Sequence, residues 1–317
     1  MTATLVPLVL SVLSSGHCSP MDHAAECESL VALARSLNYT RWERRKRWLE
    51  GDTYCRWQGV QCDSTRHVKG LRLAQNNVHG ELTSLDAFAQ MQSLVLTNNH
   101  VEGTLPPLLP LGNLVSLRLA ENKLTGELRE PALPPKLETL DLRANQLGGA
   151  LPSFGSALHL VEVNLSDNTF SGTLPPLNGN HELRELYISY NHVSGSLPRS
   201  LPPKLEFLRC AFNNMTGELP AKLPAGLQTL DARTNAFRGE LPPIHGLTKL
   251  KRLLVQNNRL TGLVPRALPP AIEFFNCVRN AMAIQAGACA ASSRMQSCEV
   301  APQFLTIRDD DIAQTNG

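Results

Sequence analysis

The sequence has little net charge and lacks the long apolar runs of a membrane protein. Its 317 residues carry a formal charge of +2, which argues against nucleic-acid binding, because contact with phosphates requires a basic surface. Beyond the N-terminus, no apolar stretch reaches the ~18 residues of a transmembrane helix. The C-terminal end also lacks the hydrophobic tail of a lipid-anchor signal. The sequence therefore predicts neither nucleic-acid partners nor a transmembrane segment.

Catalytic motifs are missing as well. The chain has no GxSxG, HExxH or Walker A motif, and no GxGxxG between a strand and a helix. Its nine histidines are scattered, and no CxxC accompanies them to suggest a zinc site. These absences predict a protein that is not an enzyme and that holds no metal or cofactor.

One phrase recurs ten times and is clearest in LETLDLRANQLGGALP, which begins at Leu137. As a template it is LxxLxLxxNxLxGxLP, where the leucines at positions 4 and 6 point to one side of a short strand. A single strand cannot bury that side alone, but stacked strands form a parallel sheet with a continuous core. The asparagine at position 9 turns the chain, and its amide can satisfy turn backbone groups. These asparagines are Asn76, Asn99, Asn122, Asn145, Asn168, Asn191, Asn213, Asn235, Asn258 and Asn280.

A repeat of 22 or 23 residues with this phrase is the signature of leucine-rich repeats. The predicted fold class is an α/β solenoid: a right-handed leucine-rich repeat horseshoe with a parallel concave sheet, ten repeats, a helical N-terminal cap and a short C-terminal cap. The predicted divisions are a signal peptide (1–18), an N-terminal cap (24–67), the repeats (68–282), a C-terminal cap (283–305) and a flexible tail (306–317).

The cap reads as two helices ahead of the repeats. Apolar residues from Leu30 to Leu37 follow the spacing of an amphipathic helix. A second helical stretch over residues 40–49 holds Trp42 and Trp48 beside a basic run. We interpret that run as a solvated helix face with both indoles packed on the first repeat. The alternative is a patch for heparin or anionic lipid.

The segment from Trp48 to Cys62 contains the pattern W…C-x-W-x-G-V-x-C. It resembles the cap that precedes plant-type extracellular leucine-rich repeats. The LPPKLETL phrasing and the repeat length are similar to the surface-antigen family of kinetoplastid protozoa. The resemblance covers about residues 25–300 and implies an extracellular, non-enzymatic interaction protein.

The eight cysteines divide between caps and core. Cys55 and Cys62 are expected to form an N-terminal cap disulfide, and Cys289 and Cys298 to close the C-terminal cap. Cys27 pairs with Cys18 if signal cleavage falls before that residue; otherwise it is free or exchanges with the other cap pair. The remaining two, Cys210 and Cys277, occupy position 6 of their repeats. They are predicted to be buried and unbonded, because their strands would lie about 14 Å apart.

Several features favour the secretory route. Residues 3–15 form a short apolar run typical of a signal peptide. Glycosylation sequons begin at Asn38, Asn164 and Asn214. The predicted location is extracellular, either secreted or at the cell surface.

Function must come from residues that the fold does not need, at positions 3, 5, 7 and 8 of each repeat. Asp141 and Asp231 both occupy position 5, but about 19 Å apart at the usual strand spacing, which is too far for paired-carboxylate catalysis. Repeats six and seven concentrate aromatic residues flanked by arginines, a composition suited to ligand binding. The alternative is that Tyr190 is framework and that the phenylalanines pack on neighbours or on the sheet rim. The candidate site residues are Tyr187, Tyr190, Phe207, Phe212, Arg184, Arg209 and Arg233.

The sequence thus predicts a secreted or cell-surface interaction module that binds a protein or glycan ligand through its concave sheet. One alternative is an inhibitor of a secreted, polysaccharide-degrading enzyme that uses the same face. A second alternative is an intracellular scaffold.

Overall fold

The computed structural model describes residues 17–128, 133–283 and 297–299, with backbone only for the last three. Two compact units make up the chain, Met1–Leu183 and Arg184–Gly317. The predicted signal peptide lies almost wholly outside the described residues, as does Cys289 of the predicted C-terminal cap.

The first unit begins with helix α1 (Ala24–Ser36), followed by two single 3-10 turns, Tyr39–Arg41 and Tyr54–Arg56. Its strands are β1 (Val60–Cys62), β2 (Val68–Arg72), β3 (His79–Glu81), β4 (Ser93–Val95), β5 (His100–Thr104), β6 (Ser116–Arg118), β7 (Lys123–Glu127), β8 (Thr139–Asp141), β9 (Gln146–Gly148) and β10 (Glu162–Asn164).

The second unit is built from strands within its described residues. They are β11 (Glu185–Tyr187), β12 (Ser194–Gly195), β13 (Phe207–Arg209), β14 (Asn214–Glu218), β15 (Thr229–Asp231), β16 (Ala236–Glu240), β17 (Arg252–Leu254), β18 (Arg259–Thr261), β19 (Phe274–Asn276) and β20 (Ser297–Glu299).

Each unit has a main parallel sheet, which confirms the predicted repeat stack. In the first unit the order is β1-β2-β4-β6-β8-β10, with only β1 antiparallel to its neighbour. In the second it is β11-β13-β15-β17-β19-β20. Within each main sheet, equivalent repeat positions lie side by side, so a residue's position in the repeat gives its place on the sheet.

The repeated leucines form the core beneath the main sheets. In the fourth repeat, Leu140 and Leu142 are fully buried, while Thr139 and Asp141 are half-buried on the opposite, open face. We call the side that carries positions 3, 5, 7 and 8 the open face. Strand alternation places the leucines inward, and stacking joins them into one hydrophobic layer within each unit.

A second sheet follows the turn in each unit, in the orders β3-β5-β7-β9 and β12-β14-β16-β18. The repeat pattern does not predict these second sheets. Glycines at position 13 allow the close stacking: at Gly103, with φ of 75°, an added Cβ would lie 2.8 Å from the side chain of Glu81. Glycine suits this position because its backbone is left-handed and because a side chain there would displace the side chain of Glu81.

Buried asparagines tie successive repeats together, and Asn168 illustrates the pattern. Its Oδ1 accepts a hydrogen bond from the backbone N–H of Leu147 in the preceding repeat, at 3.0 Å. Its Nδ2 donates to three carbonyl oxygens, those of Leu142 (3.0 Å), Leu165 (3.3 Å) and Ser166 (3.1 Å). The same contacts recur at Asn99, Asn122 and Asn145 in the first unit, and at Asn213, Asn235, Asn258 and Asn280 in the second.

Helix α1 of the cap is confirmed, with Leu30, Leu33 and Leu37 fully buried. The predicted second helix over residues 40–49 is wrong. Beyond a single 3-10 turn the chain is irregular there, and Arg47 has a left-handed backbone with φ of 66°.

Tertiary contacts of the indoles explain the irregular segment. Trp42 and Trp48 pack edge to face with ring centroids 4.9 Å apart, and Trp48 lies 4.9 Å from Trp57. The backbone N–H of Arg44 donates to Oδ1 of Asn76 in the first repeat at 2.6 Å, not to a carbonyl one helical turn earlier. Packing and these bonds override the helical pattern of the basic run.

Two disulfides fix this cap. Cys55 is bonded to Cys62, as predicted, and Cys18 is bonded to Cys27, which settles the pairing that the sequence left open. Cys210 and Cys277 are buried and unbonded, also as predicted. No helix in the described part of the chain has the length and apolar character needed to cross a membrane.

We predict that Asn168→Ala lowers the free energy of unfolding by about 3 kcal/mol, because it leaves several buried backbone groups without a partner. Chemical denaturation of both proteins measures the difference. The control is Asn178→Ala, an exposed position, where the change should stay within about 0.5 kcal/mol. Equal effects at the two sites would contradict a bridging role for Asn168.

We also predict that the core thiols do not react in the native protein. Burial raises the pKa of Cys277 to about 11 and raises that of Cys210 as well, so neither supplies the thiolate that alkylation requires. Mass spectrometry after iodoacetamide treatment near pH 8 should find both unlabelled, and both labelled after unfolding without reductant. Native labelling of Cys210, or its presence in a disulfide, would refute the core assignment.

Candidate ligand-binding site

The open face of the second unit carries the aromatic cluster Tyr187, Tyr190, Phe207 and Phe212. Strands β11 and β13 run in register, and Tyr187 lies beside Arg209. Phe207 is the in-register neighbour of Glu185 on one side and of Thr229 on the other. Tyr187 and Phe207 are therefore diagonal neighbours on adjacent strands, a separation that aromatic side chains can bridge.

Tyr190 and Phe212 form the exposed centre of the cluster. Their rings are stacked, with centroids 4.5 Å apart and planes 10° apart. Their exposed fractions are 44% for Tyr190 and 37% for Phe212. Both occupy position 8 of their repeats, so the stack follows from the regular repeat register.

The backbone at position 8 is left-handed in every repeat, with φ between 49° and 57°. Asn and Asp tolerate this conformation best among residues with a side chain, and bulky residues adopt it at a cost. The residues found there are Gln75, Asn98, Glu121, Ala144, Asp167, Tyr190, Phe212, Thr234, Asn257 and Arg279. Tyr190 and Phe212 therefore occupy positions whose left-handed backbone conformation favours Asn.

Arginines contact the faces of the aromatic rings. The guanidinium carbon of Arg209 is 5.4 Å from the ring centroid of Tyr187, and that of Arg233 is 5.5 Å from the centroid of Phe212. Both distances are within cation–π range. Arg184 is farther out and forms an ion pair with Glu206 at 2.5 Å.

Acidic residues hold this arrangement in place, and the sequence analysis did not assign them to the site. The hydroxyl of Tyr187 donates to Oε2 of Glu185 at 2.7 Å. Asp231 is buried beneath Arg233, with Oδ2 3.5 Å from Nε. Burial raises the pKa of Asp231, and the positive charges of Arg233, Arg209 and Arg252 oppose that shift.

Arg233 is the charged residue beside the stacked rings that a ligand can reach. Its Nε is buried and faces Oδ2 of Asp231 at 3.5 Å, while the side chain as a whole is partly exposed. An acceptor on a bound molecule would therefore meet the exposed part of the guanidinium group, where hydrogen bonds are charge-assisted. The surface can therefore take an apolar or planar group on the rings and an acceptor beside Arg233.

The three sequons differ in exposure. Asn38 is exposed in a short turn, where the Thr40 hydroxyl donates to its Oδ1 at 3.0 Å. Asn214 is exposed at the start of β14. Asn164 is half-buried on the open face of the first unit. Glycosylation at each remains a prediction.

Within the ranges that the structure describes, no group of three or more His, Cys, Asp or Glu side chains is arranged to hold a metal ion. The aromatic cluster joins stacked rings, guanidinium groups and hydrogen-bonded acids on one open face.

Comparison with known proteins agrees with this repeat geometry. The family described as Leucine Rich Repeat matches residues 136–158, 159–180 and 182–203. These three segments match leucine-rich repeats, and the chain has the leucine-rich repeat fold. No curated protein sequence matches it significantly.

Solved leucine-rich repeat structures share the fold at low sequence identity. The ectodomain of the plant membrane receptor kinase GASSHO1/SCHENGEN3 from Arabidopsis thaliana matches with a TM-score of 0.68 and 24% identity, over 80% of this chain and 32% of that one. The structure of PEPR1 with AtPEP1 gives 0.63 and 23%, over 89% and 49%. A plant ice-binding protein gives 0.58 and 21%, over 81% and 97%. This leucine-rich repeat chain thus spans less than half the length of the first two.

We predict opposite stability changes for two substitutions at position 8 of the first unit. Ala144→Asn should raise the free energy of unfolding by about 1 kcal/mol, because Asn adopts the left-handed backbone more readily. Asn98→Ala should lower it by a similar amount. Chemical denaturation measures both, and a change of the same sign in the two variants would contradict a conformational cost at position 8.

Proposed function

We propose that the protein is an extracellular interaction module that binds a segment of a protein ligand through the aromatic cluster of its second unit. The observation that carries this proposal is the stack of Tyr190 and Phe212. The rings of Tyr190 and Phe212 are exposed, and both residues adopt a left-handed backbone conformation that is unfavourable for bulky side chains. Residues kept at a conformational cost on a surface are candidates for function.

The composition of the cluster favours a protein ligand. Tyr and Arg are enriched among the residues that dominate binding energy at protein interfaces. The rings offer apolar area, and Arg209 and Arg233 offer donors beside it. Arg184 and Glu206 lie toward the polar edge, consistent with the rim of an interface. A glycan stacking on the same rings is the alternative ligand.

Proteins of the same fold support a peptide-like segment as the ligand. The structure of the GASSHO1/SCHENGEN3 ectodomain is a complex with CASPARIAN STRIP INTEGRITY FACTOR 2, and PEPR1 is bound to AtPEP1. Low identity limits this support to the fold. The aromatic cluster itself is the reason to assign binding to this part of the chain.

The extracellular location rests on covalent chemistry. Cys18–Cys27 and Cys55–Cys62 are bonded, and disulfides persist in oxidising compartments. The exposed sequons at Asn38 and Asn214 are consistent with passage through the secretory route.

We predict that Tyr190→Ala/Phe212→Ala weakens ligand binding by about 2 kcal/mol or more, as expected for anchor residues. Immobilised wild-type and variant proteins would be exposed to the secreted proteins of the source organism, and the retained ligand would then be titrated by calorimetry. A glycan array run in parallel tests the alternative class of ligand.

Asn257→Ala is the matched control, since it changes the same position in the same unit and on the same backbone. It should leave binding unchanged, and all variants should melt within a few degrees of wild type. If the double variant binds as tightly as wild type, the aromatic cluster is not the site. If it unfolds, these side chains are structural.

A further inference from the structure

A groove crosses the open face of the first unit. We call it the basic groove. It spans β2, β4 and β6 and has a volume of about 580 Å³. Ser93 and Ser116, side by side at position 3 of β4 and β6, form its floor. On β2 the equivalent residue is Gly70, and the side chain of Gln61 from β1 lies over it and closes that end of the floor. The equivalent positions on β11, β13, β15 and β17 of the second unit hold Glu185, Phe207, Thr229 and Arg252.

Longer side chains form the two walls of the basic groove. Position 2 contributes Lys69, Gln92 and Val115, and position 5 contributes Arg72, Val95 and Arg118. Because strands in a sheet are ~4.8 Å apart, Arg72 and Arg118 stand about 10 Å apart along one wall. The groove therefore runs across the strands, with Lys69 and Arg72 at its β2 end, the half-buried Val95 on the middle strand, and Val115 and Arg118 at its β6 end.

The positive charges at the β2 end have no partner. Lys69 and Arg72 are exposed, and their side chains make no hydrogen bond or ion pair with any other described residue. Other arginines on this face are paired: Arg118 with Glu162 at 2.8 Å, and Arg143 with Glu121. The side chains of Lys69 and Arg72 are thus available to a negatively charged ligand.

We propose that the basic groove binds an extended, acidic protein segment that carries an apolar side chain beside its carboxylates. The carboxylates lie against Lys69 and Arg72, where charge-assisted hydrogen bonds are strong. The apolar side chain covers Val95 and Val115. The floor of small residues leaves room for a peptide backbone, and the serine hydroxyls and the Gln92 amide offer donors and acceptors to it.

The chemistry of the walls selects this ligand over an acidic polysaccharide. A sugar polymer has no apolar side chain to cover the two valines, and no aromatic ring lines the groove for a sugar to stack on. Charge also favours one end of the groove for the carboxylates. Asp141 on β8 and Glu162 on β10 follow the groove on the same face, so carboxylates of the ligand are favoured beside Lys69 and Arg72 at β2.

The test measures binding of a fluorescein-labelled peptide, acetyl-Asp-Glu-Leu-Asp-Glu-amide, to the full chain by fluorescence anisotropy. We expect binding that weakens as salt is raised from about 0.05 to 0.3 M, because exposed charges are screened. Lys69→Gln/Arg72→Gln should weaken it by about tenfold or more, as for lost hydrogen bonds to charged groups. Ser93→Leu, which keeps every charge but fills the floor, should also abolish it.

Lys251→Gln is the matched control, because Lys251 is exposed at position 2 of a repeat in the second unit. It should bind like wild type, and a charge-reversed peptide, acetyl-Lys-Lys-Leu-Lys-Lys-amide, should not bind. The proposal is overturned if Lys69→Gln/Arg72→Gln binds the acidic peptide as tightly as wild type, or if Ser93→Leu does. It is also overturned if an oligomer of galacturonic acid binds the groove and the peptide does not. Thermal melts of all variants should match wild type, since the changed side chains are not in the core.

Discussion

The hydrogen bonds of the repeat asparagines are the interaction on which the rest of the structure depends. Each such amide joins the carbonyl groups of two successive turns and accepts an N–H from the earlier one, as at Asn168. Without it, every turn would bury backbone groups that neither strand nor solvent satisfies. These hydrogen bonds join each repeat only to the preceding one, so they fix the distance and register between adjacent repeats. A constant register keeps equivalent positions aligned along each main sheet.

Alignment of equivalent positions brings side chains from successive repeats together on each open face. Residues far apart in sequence become neighbours when they share a position, as Tyr190 and Phe212 do. The two units use this in different ways. The second carries bulky rings and arginines on its open face, whereas the first has Ser93 and Ser116 at position 3 and leaves a groove above them. The second unit therefore presents exposed aromatic rings on its open face, and the first unit presents the basic groove.

The register of the main sheets could be predicted from sequence because Leu140, Leu142 and their equivalents repeat at a fixed interval. Stacking of the position 8 rings followed from the same regularity. The second sheets could not be predicted, because segments such as His100–Thr104 contain a left-handed glycine and no clear alternation. The second cap helix was predicted wrongly for a different reason. The basic run has a helical sequence pattern, but packing among Trp42, Trp48 and Trp57 determines the path of the backbone there. The burial of Asp231 beneath Arg233 depends on side-chain conformation, which repeat spacing does not specify.

The indole cluster of the cap has a consequence for spectroscopy. All three tryptophans of the chain, Trp42, Trp48 and Trp57, pack against one another in the first unit. Intrinsic tryptophan emission therefore senses the polarity around the cap alone, and the second unit contributes only tyrosine and phenylalanine signals. An emission spectrum that stays unshifted shows an intact cap, and the state of the second unit must be followed by another probe, such as circular dichroism of its strands.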